Sequence, residues 1–163
     1  VPGAIGLGRA LQPYGITWFE QPVVNENVAG LARIHREVGI PTAGNENEAG
    51  LDAFQRLIDA EAVHYVQFDP VIGGGFTEGR KIAALAEAHH LPVTLHHSNS
   101  VVSMLANIHL AAALPNCHSV EFHMIHRQLF EHAPDGCLGV ADGYLVAPER
   151  PGLGVDLDSL APW

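Results

Sequence analysis

Short apolar runs of β type alternate along this chain with stretches whose apolar residues fall at helical spacing. Residues 16–19 (Ile16, Thr17, Trp18, Phe19) predict a buried strand, and Leu31, Ile34 and Val38 mark the helix that follows over 28–38. Gly39 suits that helix's end and Pro41 stops its continuation. Further strands are predicted at 40–43, 63–68, 92–95 and 119–122. The helices between them are marked by Leu51, Phe54, Leu57 and Ile58, by Ile82, Leu85 and Ala86 with Thr77 as N-cap, and by Val101, Met104, Leu105 and Ile108 after Ser100. The first fifteen residues read as a helix. Past 126 the pattern changes. Pro134-Asp135-Gly136 and Asp142-Gly143 are turn signals, residues 144–146 predict a short strand, and residues 156–160 predict a terminal turn. Strand and helix in alternation with short links imply crossover units and a parallel sheet, an α/β fold.

The predicted strands end at Glu20, Glu46, Asp69, His96 and Glu121, which recur every 23 to 27 residues. That interval holds one strand, one helix and two short links. In a (β/α) barrel the C-terminal strand ends form the active-site face, so five ionisable groups would converge there. Their burial without partners is costly, and a central cation would offset the cost. A complete barrel needs eight strands and usually more than about 200 residues. Five strands leave two exposed edges of parallel sheet, and the chain does not begin with Met. The expectation is therefore the C-terminal part of a TIM-type barrel, about five βα units, with its first strands absent.

Composition narrows the function classes. The chain has 163 residues, 47% of them hydrophobic and only 16% charged, with a net charge of −10 from 18 acids against 8 bases. Such a balance predicts a substantial core. It argues against a nucleic-acid partner, which needs clustered bases to displace phosphate counterions, and against an anionic membrane surface. No apolar run approaches the ~20 residues of a membrane span, and residues 1–4 have no signal-peptide character. Cys117 and Cys137 read as free thiols in a reducing cytoplasm.

The candidate chemistry sits at the five strand ends. Glu20 and Glu46 offer carboxylate oxygens of the kind Mg²⁺ takes, although Glu20 could be a solvated loop acid and Glu48 competes with Glu46. Asp69 and His96, one repeat apart, could meet across adjacent strands. A carboxylate on one imidazole nitrogen fixes the tautomer and raises the basicity of the other, making a general acid or base. Successive strand residues face opposite ways, so only one of His96 and His97 should face the centre. Glu121 could bind a substrate group, act as an acid, or be an ordinary salt-bridged acid. His118, His123 and His126 fit no closed zinc spacing. Gly73-Gly74-Gly75 reads as a tight strand-to-helix turn, since it lacks the residues of a P-loop.

These residues resemble a known family. Trp18-Phe19-Glu20-Gln21-Pro22 is similar to WFEEP of the enolase superfamily, and residues 40–48 are similar to its IPIAAGENE segment. Residues 66–69 with Gly73-Gly74 and Thr77-Glu78 resemble VQPD…GGITE. Residues 93–96 followed by 109–116 resemble VTPH…HLAAALPN. Asp142-Gly143-Tyr144-Leu145 and residues 151–155 resemble DGxL…PGLGV. Asp at position 69 points to the mandelate racemase and acid-sugar dehydratase subgroup. Asn45 departs from the Gly usual before the second Glu, and Gln21 replaces a frequent Glu.

The resemblance implies that residues 1–147 are strands four to eight of the family barrel and that residues 148–163 return toward an absent N-terminal capping domain. It implies Glu20 and Glu46 as two of three Mg²⁺ ligands, an Asp69–His96 catalytic dyad, and Glu121 as a catalytic or substrate-binding group, with His97 a further substrate-binding candidate. The implied reaction is Mg²⁺-dependent removal of the proton α to a carboxylate through an enediolate. Its substrate is a small carboxylate such as an acid sugar, dehydrated or else racemised, in a cytoplasmic homo-oligomer. The chain alone is expected to be poorly active. A zinc-dependent barrel hydrolase and a non-catalytic barrel remnant are the alternatives.

Overall fold

The computed structural model describes residues 1–126, 130, 133–134, 137–156 and 158. Helix α1 (Pro2–Leu11) leads into five strands, β1 (Phe19–Glu20), β2 (Thr42–Gly44), β3 (Tyr65–Phe68), β4 (Val93–Leu95) and β5 (Cys117–Val120). Between them run α2 (Val28–Val38), α3 (Leu51–Asp59), α4 (Gly75–Ala88) and α5 (Val101–Ala112). The strands lie side by side in chain order and every pair is parallel. This is the expected α/β class, with one crossover helix in each link. Among the described residues no helix is long and apolar enough to cross a membrane.

The elements form where local chemistry allows. Asn27 caps α2 by accepting from the Gly30 N–H at 2.9 Å, and Gly39 ends it at φ 68°. Ser100 caps α5 by accepting from the Ser103 N–H. Thr77 does not cap α4. Gly74 does so at φ 105°, with Gly75 also left-handed at 76°. The three glycines compress the turn, and Thr77 falls inside the first turn of the helix.

β1 to β4 are shorter than the apolar runs that predict them, because the ladder sets their limits. β5 lies two residues earlier than expected. Val93 pairs with Cys117 but Thr94 pairs with Ser119, so the register shifts at His118. β6 (Gly139–Ala141) was not anticipated. It pairs antiparallel with β7 (Tyr144–Val146), the predicted short strand, through Asp142 and Gly143 at φ 51° and 82°. Such positive angles are what a two-residue hairpin turn requires. Asp135, Gly136 and most of the predicted turn at 156–160 lie outside the described residues. Cys117 and Cys137 are free.

One face of the sheet carries the core. Val66 and Phe68 of β3 and Val93 and Leu95 of β4 pack with Leu31, Phe54, Leu57, Ile82 and Leu110 from the helices. Phe54 meets Phe68 edge-on, with ring centroids 6.0 Å apart. A Cβ on Gly79 would stand 2.8 Å from Leu110 Cδ2 and 3.1 Å from Phe68, so α4 approaches the sheet only because that residue is glycine. Period-2 alternation puts Tyr65, Gln67, Asp69, Thr94 and His96 on the other face. Rings from alternate strands meet there: Tyr65 lies 5.2 Å from Trp18 and 4.9 Å from His118, centroid to centroid. Layers of inward side chains from alternate strands are how a barrel interior fills.

Candidate active site

Four of the five predicted groups lie just past a strand, and Glu20 is the last residue of β1. The backbone continues the ladder to hold them. The His96 N–H donates to Phe68 O at 3.0 Å, and the Glu121 N–H donates to Leu95 O at 2.9 Å. Each group is thus aligned with its neighbour in the same layer.

Asp69 and His96 meet as predicted. Both are buried, at 1% and 8% exposure. His96 Nδ1 lies 3.0 Å from Asp69 Oδ2, and the bonding assigns it the proton. Asp69 Oδ1 accepts from the Val71 N–H at 2.8 Å, so both carboxylate oxygens are engaged and the ring orientation is fixed. His96 Nε2 faces two more acids, Glu46 Oε2 at 3.4 Å and Glu121 Oε2 at 3.6 Å. Burial works against a charge on the imidazole. The Asp69 hydrogen bond and the negative field of Glu46, Glu121 and Asp69 outweigh it, and the pKa rises above 6.5. The result is an oriented imidazole with Nε2 directed among carboxylates.

His97 faces the other way. It is fully buried, and its Nε2 lies 2.9 Å from Ser103 Oγ and 3.2 Å from Ser100 O. Ser103 gives its own hydroxyl proton to Ser100 O, so His97 Nε2 is the donor. Only its backbone joins the site, the His97 N–H donating to Glu121 Oε2 at 3.1 Å. Glu48 lines a small cavity of about 240 Å³ with Glu26, Asn45 and Arg56, and does not line up with His96. His123 stacks on His126 at 4.6 Å, apart from His118 in its layer with Tyr65.

Sequence reading missed two supports. Asn107 of α5 is fully buried and donates through Nδ2 to His96 O at 3.0 Å, pinning the end of β4. Gln67, 2% exposed, stands one layer below Asp69 with its Oε1 unpaired. Asn107 sits within an apolar helical stretch, and that polar interruption was the available signal.

Glu20 and Glu46 supply oxygen donors, the chemistry that a hard divalent cation selects. Glu20 Oε2 also accepts from Trp18 Nε1–H at 2.8 Å. Among the described residues no group of three or more His, Cys, Asp or Glu gathers closely enough to hold a metal ion. The donors thus suit Mg²⁺ in kind, and two of them leave most of an octahedron to water, substrate and other ligands.

Comparisons with known proteins bear on the family and the fold. The sequence profile of the family described as "Enolase C-terminal domain-like" matches residues 1–161. The chain is 36% identical to 3,6-anhydro-alpha-L-galactonate cycloisomerase of Streptomyces coelicolor, across 97% of this chain and 42% of that protein. It is 34% identical to arabinonate dehydratase of Saccharolobus solfataricus, across 93% of this chain and 40% of that one. Among solved structures, a mandelate racemase/muconate lactonizing enzyme-like protein from Roseovarius sp. TM1035 superposes with TM-score 0.86 at 34% identity, covering 96% of this chain and 39% of that one. A racemase from Streptomyces coelicolor A3(2), solved with bound magnesium, gives TM-score 0.79 at 36% identity, covering 96% and 41%. The chain therefore spans about two fifths of the length of these relatives.

Proposed function

The chain belongs to the Enolase C-terminal domain-like family, and on that premise we propose that its protein removes the proton α to a carboxylate, acting as an acid-sugar dehydratase. The observation that carries this reading is the anchored imidazole. His96 Nδ1–H is held by Asp69 at 3.0 Å, and Nε2 stands at the strand ends beside Glu46 and Glu121. In the proposal His96 Nε2 takes the α-proton, or returns a proton to the departing β-hydroxyl. The C–H and C–O bonds break, water leaves, and the enol product becomes a keto acid. Glu121 accepts from a substrate hydroxyl or, when protonated, donates to the substrate carboxylate. Glu20 and Glu46 would help hold Mg²⁺, which supplies positive charge against that carboxylate when bound.

One observation favours dehydration over racemisation. Relatives at 34% and 32% identity are named arabinonate and D-xylonate dehydratases. The same reading takes the edges of β1 and β5 as joined to further strands of one barrel, in a homo-oligomer.

The test is solvent deuterium incorporation by the whole protein in D₂O, read at the α-carbon of recovered substrate and at the β-carbon of the keto-acid product, with Mg²⁺ and a panel of acid sugars. Keto-acid product and solvent label are expected, and His96→Asn should lower both by about 10²–10⁴, the span of general acid–base catalysis. Hydrolysis products restored by Zn²⁺ would instead establish a zinc hydrolase. No label and no metal dependence would establish a non-catalytic barrel.

A further inference from the structure

The residue after Glu20 and the residue before Glu46 share an unusual property. Gln21 and Asn45 are both non-glycine residues in the left-handed region, at φ 39° and 84°. Asn tolerates that region; Gln has no such tendency, and a residue preceding proline, here Pro22, is normally extended. Something must hold the pair, and the side chain of Gln21 does so. Its Oε1 accepts from the buried Asn45 N–H at 2.7 Å. Its Nε2 donates to Val23 O at 2.6 Å. Its backbone N–H donates to Ala43 O at 3.0 Å. The contact is close enough that a Cβ on Gly44 would stand 2.8 Å from Gln21 Oε1.

We propose that Gln21 is a positioning residue whose side-chain amide ties the end of β1 to the end of β2 and thereby fixes the spacing of the Glu20 and Glu46 carboxylates. This deepens the proposed function and rests on it only where Mg²⁺ enters. The clasp needs an acceptor at one end and a donor at the other, which a neutral amide supplies. An ionised carboxylate at position 21 would keep the Asn45 bond and lose the Val23 one. A thioether of the same length would fill the space and keep neither. Without the clasp the buried Asn45 N–H has no partner, and the two strand ends can drift apart.

The experiment compares the whole protein with its Gln21→Met and Gln21→Glu variants by NMR. It follows amide exchange at Asn45, Val66 and Leu95 and the indole N–H resonance of Trp18, which reports on Glu20 through their 2.8 Å bond. Mg²⁺ affinity is measured by calorimetry on the same samples. In Gln21→Met, Asn45 should exchange about tenfold faster, the loss expected for one buried hydrogen bond. The Trp18 signal should move, and Val66 and Leu95 should keep their rates. In Gln21→Glu, Asn45 should stay protected. Mg²⁺ should bind about tenfold more weakly to Gln21→Met. An unchanged Asn45 rate, an unmoved Trp18 signal, equal acceleration at Val66 and Leu95, or wild-type Mg²⁺ affinity in Gln21→Met would each overturn the clasp. If the whole wild-type protein binds no Mg²⁺, the metal part of the proposed function falls, and the exchange rates and Trp18 signal still decide the clasp.

Discussion

The two ends of the sheet each carry a histidine arrangement, buried at one end and open to solvent at the other, and the two are built in opposite senses. At the C-terminal end His96 is surrounded by Asp69, Glu46 and Glu121, which favour its charged form. At the N-terminal end His35 and His64 stack at 4.0 Å around Thr42. There the Thr42 N–H donates to His64 Nδ1 at 3.1 Å, and the Thr42 hydroxyl donates to Ala62 O at 3.2 Å, leaving Thr42 Oγ1 to accept from His35 Nδ1–H at 2.9 Å. The two rings therefore hold complementary neutral tautomers. Burial lowers both pKa values; the neighbouring His64 and Arg36 lower that of His35 further, with Glu61 opposing. Carboxylates around an imidazole favour its charged form, and a backbone N–H on its lone pair favours the neutral one. Barrel enzymes divide labour the same way, with chemistry at the C-terminal strand ends and stability at the other end.

The largest effect expected from breaking this contrast is at Asp69. Asp69→Asn keeps the shape, but one amide cannot both accept from His96 Nδ1–H and accept from the Val71 N–H through its second terminal atom. Either the Val71 bond is lost or the imidazole tautomer inverts. Label incorporation should fall by about 10²–10⁴, while His64→Gln should leave it within a few-fold of wild type. Equal losses in the two variants would dissolve the distinction between the ends.

Much of the active end was legible in sequence, and the reasons are physical. The 23 to 27-residue recurrence of Glu20, Glu46, Asp69, His96 and Glu121 is imposed by the strand–helix repeat. The opposite facing of His96 and His97 follows from the pleat. The Asp69–His96 contact follows from adjacent parallel strands. Other features were hidden because they depend on tertiary contacts. The β5 register turns on a bulge at His118 that no local propensity announces. Asn107 pins His96 from eleven residues away. The neutral pair at the other end joins His35 of α2 to His64, 29 positions later, through a threonine that looks in sequence like an ordinary strand residue.

A smaller effect is expected at that threonine. Thr42 is fully buried. Thr42→Val preserves its volume, leaves Ala62 O without its donor and His35 Nδ1 without its acceptor, and keeps the backbone bond to His64. Stability should fall by about 1–3 kcal/mol, the cost of buried polar groups left unpaired, read as a lower urea midpoint with an unchanged m-value. Proton-exchange activity per folded molecule should not change. A lost activity at full stability would mean that the N-terminal end communicates with the site.

The smallest effect is the pH response of the same cluster, and its sign follows from linkage. Both histidines have native pKa values below the ordinary 6.5. Below pH 6.5 the unfolded chain therefore binds more protons at these positions than the native protein does. The stabilisation they give is complete above pH 6.5 and declines as the pH falls toward the native values. His64 cannot take a proton on Nδ1 while the Thr42 N–H points at it. The groups around them are mixed in sign: Arg36 opposes a charge on His35, Glu61 favours it, and Asp59, His89 and His90 line the same cleft. The screening is substantial because the cleft is open to solvent, so the slope is modest. It is isolated by difference: Tm measured from pH 7.5 to 5.5 should fall more steeply for wild type than for a His35→Gln/His64→Gln variant, in which nothing titrates at these positions. Parallel curves would mean that the two rings are as easily protonated in the native protein as in the unfolded chain, and the contrast between the ends of the sheet would then rest on His96 alone.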